Sequence, residues 1–109
     1  MNDKTILVLA AIVGALAVII GAFGAHGLPS YLESKGLESA DIAKRESNME
    51  IGARYHMYHA LGLLAVGLLV RQQPSVWLTV ATMLFLAGIL IFSGCLYGYA
   101  VTGIRTLAM

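Results

Sequence analysis

Hydrophobic and polar positions divide the chain into three apolar runs, separated by one long polar stretch and one short one. From Thr5 to Leu32 there is no Asp, Glu, Lys or Arg. A helix needs about 20 apolar residues to cross the hydrocarbon core of a bilayer, so this run predicts a membrane span over 5–26. The stretch from Ile6 to Phe23 exceeds the roughly 7 to 15 apolar residues of a secretory signal, which favours a retained helix over a cleaved leader. Pro29 predicts an end to that helix, because proline lacks an amide hydrogen and its ring crowds the preceding turn. A polar loop then occupies 27–53, with charges of both signs between Glu33 and Glu50. Within it Lys35-Gly36 marks a break, Ser39 can cap a helix with Asp41 in its first turn, and Ile42, Met49 and Ala53 share one face. An amphipathic helix is expected there, lying on the membrane surface or running into the next span.

The second apolar run, Tyr55 to Val70, is short. With Arg54 and Arg71 reaching out to the interfaces it becomes a span over 54–71. The third run, Gln72 to Ile104, again has no formal charge and predicts a span over 76–100, with Trp77, Tyr97 and Tyr99 as interfacial anchors. The short connection Arg71 to Ser75 makes the second and third spans an antiparallel hairpin. The expected architecture is all-α: one membrane domain over 1–109, a bundle of three transmembrane helices and one amphipathic loop helix.

Small residues recur along two of these runs. Ala10, Gly14, Ala17, Gly21 and Gly24 alternate at spacings of four and three, as do Ala81, Leu84, Gly88, Ile91, Cys95, Gly98 and Thr102. In lipid, where hydrophobicity cannot drive association, small residues let backbones approach and gain dispersion contacts. Gly14, Gly21, Gly24, Gly88, Gly94 and Gly98 are therefore the expected helix-packing positions, with the seam of the first span matched to that of the third.

Composition supports lipid as the medium, with 59% hydrophobic and 12% charged residues. A net charge of +1 offers no basic excess to neutralise a nucleic-acid backbone, so nucleic acid is not an expected partner. Cys95 is alone and reads as a small packing hydrophobe. Lys4 and Arg71 fall on one side of the membrane, and Lys35, Lys44, Arg45, Arg54 and Arg105 on the other. The positive-inside rule places the long loop and the C-terminal end in the cytoplasm.

The chemically loaded stretch is Ala53-Arg-Tyr-His-Met-Tyr-His-Ala-Leu-Gly62. On a helix Tyr55, His56 and His59 share a side with Gly52, Leu63 and Val66, and both histidines could reach one ion. His26, at the end of the first span, flanks the same loop and so the same membrane face. His26, His56 and His59 are the candidate metal, haem or proton-handling residues, since neutral imidazole suits each role. The alternative is that these rings simply hydrogen-bond across the bundle. No nucleophile elbow, phosphate loop or dinucleotide fingerprint is present, and an enzyme is not expected. The favoured role is structural, as a homo-oligomer or an accessory subunit of a larger membrane complex.

Three motifs, Gly21-Ala-Phe-Gly-Ala-His-Gly27, Tyr55-His-Met-Tyr-His-Ala-Leu-Gly62 and Ser93-Gly-Cys-Leu-Tyr97, closely resemble the YgdD/YwdK-like family of small bacterial inner-membrane proteins, catalogued as a domain of unknown function. The resemblance runs along essentially the whole chain. It implies a small helical bundle in the bacterial cytoplasmic membrane, with no substrate, reaction or cofactor to carry across. His26 and His59 match the family's motifs. The resemblance also implies a fourth helix after Thr102-Gly-Ile-Arg105, which this sequence does not contain: either the copy is truncated or the helix is absent, and an absent helix favours self-association or a partner helix in its place.

Overall fold

In the computed structural model, which describes residues 2–108, the chain forms three long helices and a short final turn. Helix α1 runs Asp3–Ser34, α2 runs Ser39–Gln72 and α3 runs Val76–Thr102; a 3-10 turn, Arg105–Ala108, follows. Asn2 caps α1 by accepting the Thr5 N–H at 2.8 Å, with Asp3 in the first turn. The Ser75 hydroxyl accepts from the Trp77 amide to start α3. Both devices satisfy amides that have no partner inside the helix.

Two boundaries differ from expectation, the end of α1 and the cap of α2. Pro29 does not end α1: the helix widens into a π-helical turn at Phe23–Gly27, where the Leu28 N–H reaches back to the Phe23 carbonyl, and then continues as Leu28–Ser34. The extra residue in that turn loosens the coil just ahead of the proline, and burial of Leu28 and Leu32 holds the extension in place. Of the two courses expected for the amphipathic helix, it takes the second and runs into the next apolar run, forming one 34-residue helix, α2. Its cap is Glu38, extended and without a side-chain capping bond, rather than Ser39; Asp41 does lie in the first turn. The break at Lys35-Gly36 is a tight turn in which Gly36 adopts φ +77° and donates to the Glu33 carbonyl at 2.9 Å. Only a residue without a Cβ adopts that backbone freely.

α2 lies in the middle, with α1 and α3 antiparallel to it on separate sides. A Cβ added to Gly14 would stand 3.7 Å from the Ala60 methyl, and one on Gly21 would stand 3.9 Å from Ala53. The small-residue seam of α1 therefore faces α2, not α3. The seam expected on α3 is not the inward stripe. A π-helical turn at Ile89–Ser93 adds a residue to the coil and rotates everything after it by about 100° relative to a continuous α-helix. Leu84 and Ile91, both on the expected seam, are 67% exposed, while Thr82, Ser93, Leu96, Tyr99 and Ala100 are buried.

Two apolar clusters close the layer. Ile6, Val66 and Val70 pack with Leu78, Ala81 and Phe85 at one end; Leu28, Leu32, Ile42, Met49 and Ala100 gather at the other. Outward side chains are also large and apolar, including Ile12 and Ile19 on α1, Leu61 and Leu68 on α2, and Leu90 and Phe92 on α3. An apolar exterior of this extent suits lipid rather than water. α1 and α3 are each long and apolar enough to cross a membrane.

Candidate functional site

The polar residues of the bundle interior converge on α2 between Gly52 and His59. Gly52 lacks a Cβ where α3 presses closest: an added methyl would lie 2.9 Å from Tyr97 Cε1 and 3.3 Å from Leu96 Cβ. This approach lets the Ser93 hydroxyl donate to the Gly52 carbonyl at 2.7 Å, a bond fully buried in the interior. One turn further along, His56 Nδ1 and the Tyr97 hydroxyl meet at 2.8 Å. His56 is only 5% exposed. A polar ladder thus ties α3 to α2 at one level. In surroundings without water, each of these groups would otherwise carry the cost of an unmade hydrogen bond.

His59 sits apart from the ladder. Its Nδ1 lies 2.7 Å from the Tyr55 carbonyl. A carbonyl only accepts, so Nδ1 carries the hydrogen and Nε2 of the neutral ring keeps its lone pair. That nitrogen points at Gly88, where an added Cβ would stand 3.3 Å away. Phe85 packs edge-on against the ring, with centroids 5.6 Å apart, and an open apolar cleft lined by His59, Ala81, Leu84 and Phe85 lies alongside.

The structure does not assemble the three histidines into one centre. His26 is exposed on the outer side of the first π-helical turn, His56 is committed to Tyr97, and His59 faces Gly88. Among the described residues no three His, Cys, Asp or Glu side chains stand close enough to hold a metal ion. The expected shared face of α2 also divides: Gly52, His56, Leu63 and Val66 are buried, whereas Tyr55 is 43% exposed and stacks edge-on with Tyr58 and Phe92.

Of the expected packing glycines, Gly14 and Gly21 face α2 as described, and Gly24 lies against Met49. Gly88 lies against His59 and Gly98 against Leu107, while nothing stands within 4 Å of a Cβ on Gly94. The glycines that sequence reasoning passed over are on α2 itself. Gly62 lies under the Phe85 ring, and Gly67 lies under Leu7 with an added Cβ only 2.6 Å from Leu7 Cδ2. Tyr97, expected as an interfacial anchor, and Ser93, four residues before it, are the α3 half of the ladder. Their spacing of four within one motif was the available signal.

Fold and site together define a small, all-helical membrane protein whose interior polarity is concentrated on one central helix. The model of the family described as "Protein of unknown function (DUF423)" matches residues 20–109. Among the relatives, the UPF0382 membrane protein YwdK of Bacillus subtilis is 42% identical over 105 residues, spanning 95% of this chain and 78% of its own length. The UPF0382 membrane protein SSP2132 of Staphylococcus saprophyticus is 39% identical over 104 residues, spanning 95% of this chain and 78% of its own length. The UPF0382 inner membrane protein YgdD of Escherichia coli is 30% identical over 108 residues, spanning 99% of this chain and 76% of its own length. The chain belongs to the DUF423 family. No solved structure matches it.

Proposed function

We propose that the chain is a three-span, non-enzymatic membrane protein that acts by assembly, with copies of itself or as an accessory subunit beside other membrane proteins. The observation that carries this reading is the shape: three helices side by side, 53 × 24 × 14 Å in principal extents. So thin a layer leaves broad apolar faces free, while the interior polar groups Ser93, His56 and Tyr97 are engaged in ties between its own helices. On α3 the outward surface at Leu90, Ile91 and Gly94 includes a glycine with open space above it, a place where another backbone can approach.

α2 as the third span has its own support. It is sandwiched between two helices that are each long and apolar enough to cross, and it turns Leu61, Leu64, Leu68 and Leu69 outward. A bilayer that holds both flanking helices also holds the helix between them. Native mass spectrometry of protein released gently from its own membrane tests the assembly. A multiple of 11.6 kDa, or co-released polypeptides, is the expected result; a lone chain overturns it.

A second reading is favoured by one specific observation, the lone pair of His59 Nε2 at the edge of an apolar cleft. Such a nitrogen can take a proton, a metal or a haem iron. Loss of bound ion, haem absorbance or proton flux in His59→Ala would support that role, and an unchanged preparation would remove it.

A further inference from the structure

We infer that the cleft between the cytoplasmic-loop ends of α1, α2 and α3 binds a phosphate group, and that in the cell this is the headgroup phosphate of an anionic phospholipid. The cleft, about 370 Å³, is lined by Tyr31, Leu32, Lys35, Leu37, Arg45, Val101 and Thr102. Two of these are cations. Lys35 is exposed and lies 5.4 Å over the Tyr31 ring, and among the described residues no carboxylate stands within salt-bridge distance of it.

Arg45 is the unusual member. Its side chain is 12% exposed, and one terminal nitrogen contacts Asp41 Oδ2 at 3.1 Å. Its Nε is buried with no hydrogen-bond partner. The guanidinium packs against Gly103, the left-handed residue that ends α3, so closely that a Cβ there would overlap it. A guanidinium has five donors in a planar fork suited to phosphate oxygens. Nε is shut off from the cleft, but the terminal nitrogens, met by a single carboxylate, keep unspent donors beside a second cation that has no counter-charge.

Depth argues for a lipid source. Counting about 20 residues of hydrocarbon from Thr5 brings α1 to Gly24, and Leu32 lies about 12 Å further along the axis at roughly 1.5 Å per residue. The same count from Val76 brings α3 to Cys95, with Thr102 about 10 Å beyond. The headgroup layer is about 5–8 Å deep on each side, so both helices place the cleft at its outer margin, where the exposed Lys35 side chain can reach back to a headgroup phosphate.

The test is native mass spectrometry of the full chain in neutral detergent with equimolar phosphatidylglycerol and phosphatidylethanolamine. The expected result is preferential retention of phosphatidylglycerol, reduced about fivefold by Lys35→Gln, as befits one basic side chain at a membrane surface. Arg45→Gln should reduce it likewise, and Lys4→Gln, at the opposite membrane face, should leave it unchanged. Because Lys35 is exposed, its variant keeps the fold, and an unaltered preference in Lys35→Gln overturns the proposal. Inorganic phosphate, against chloride at equal ionic strength, separates the sources. Displacement of phosphatidylglycerol by millimolar phosphate identifies a site for free phosphate compounds, and persistence of the lipid identifies a headgroup site. Equal retention of both lipids with no phosphate effect also overturns it.

Discussion

His56 and Tyr97 meet at 2.8 Å across two helices, and neither residue announces the other in the sequence. The histidine stood out because it is rare in an apolar run; the tyrosine passed for an interfacial anchor, because an aromatic near the end of a span usually is one. Hydrogen bonds between membrane helices contribute about 0.6 kcal/mol on average and rarely more than about 2. Tyr97→Phe and Ser93→Ala are each expected to lower stability by about 1 kcal/mol or less. In a double-mutant cycle Tyr97→Phe and His56→Phe should be less than additive, read by unfolding in mixed micelles. Full additivity would mean the pair does not interact.

Glycines permit a sharper contrast at the same scale. Gly52→Ala puts a methyl 2.9 Å from Tyr97 Cε1 and should cost about 1–3 kcal/mol, as overpacking does, whereas Gly94→Ala meets open space and should be close to neutral in the isolated chain. Equal stabilities for the two variants would contradict the packing. Spacing alone could not rank these positions, because a glycine matters through the side chain that faces it, and that side chain sits on another helix.

At the scale of elements, what was legible followed from length and charge. The three apolar runs, the Lys35-Gly36 break and the hairpin at 73–75 all appear as helices and turns, although the second run begins inside α2 and not at its start. The two π-helical turns were not legible, since a wider coil leaves no mark in hydrophobic periodicity when every neighbouring residue is apolar. Their effects are large nonetheless. One carries α1 past Pro29, and the other sets the facing of the end of α3, where Ser93, Leu96 and Ala100 are buried. Deleting Leu90 removes the extra residue and lets an ordinary α-helical path keep Ser93 and Tyr97 on the side of α2, because the turn's extra residue and its offset of about 100° disappear together. The deletion is therefore expected to destabilise the protein less than Tyr97→Phe and Ser93→Ala combined, in the same unfolding measurement. A deletion variant less stable than that pair would show that the turn does not set the register of α3.

For the whole molecule the decisive question is whether α2 crosses the bilayer with its neighbours. Its first third is rich in charge: Asp41–Arg45 and Glu50–Arg54 form ion pairs along its surface at 3.1 and 2.9 Å. Its last third turns Leu61, Leu64, Leu68 and Leu69 outward. A helix so divided either stands with its charged third in the headgroup layer and beyond, or lies wholly outside the hydrocarbon. The second arrangement would expose those leucines to water and separate Gly14 from Ala60 and Gly62 from Phe85, contacts that run along the apolar part of α2 on both sides. Burial of a leucine contributes about 1.5–3 kcal/mol, so four exposed leucines outweigh what solvating two surface ion pairs returns, each worth about 1 kcal/mol or less. The crossing arrangement puts 73–75 and 35–38 on opposite faces. With Cys95→Ser as background, Gln73→Cys should react with an impermeant maleimide added outside intact cells, and Glu38→Cys only after permeabilisation, as the distribution of basic residues requires. Labelling of both from the same side would place α2 outside the hydrocarbon and undo the three-span topology, whereas labelling of Glu38→Cys alone would keep the topology and invert the orientation.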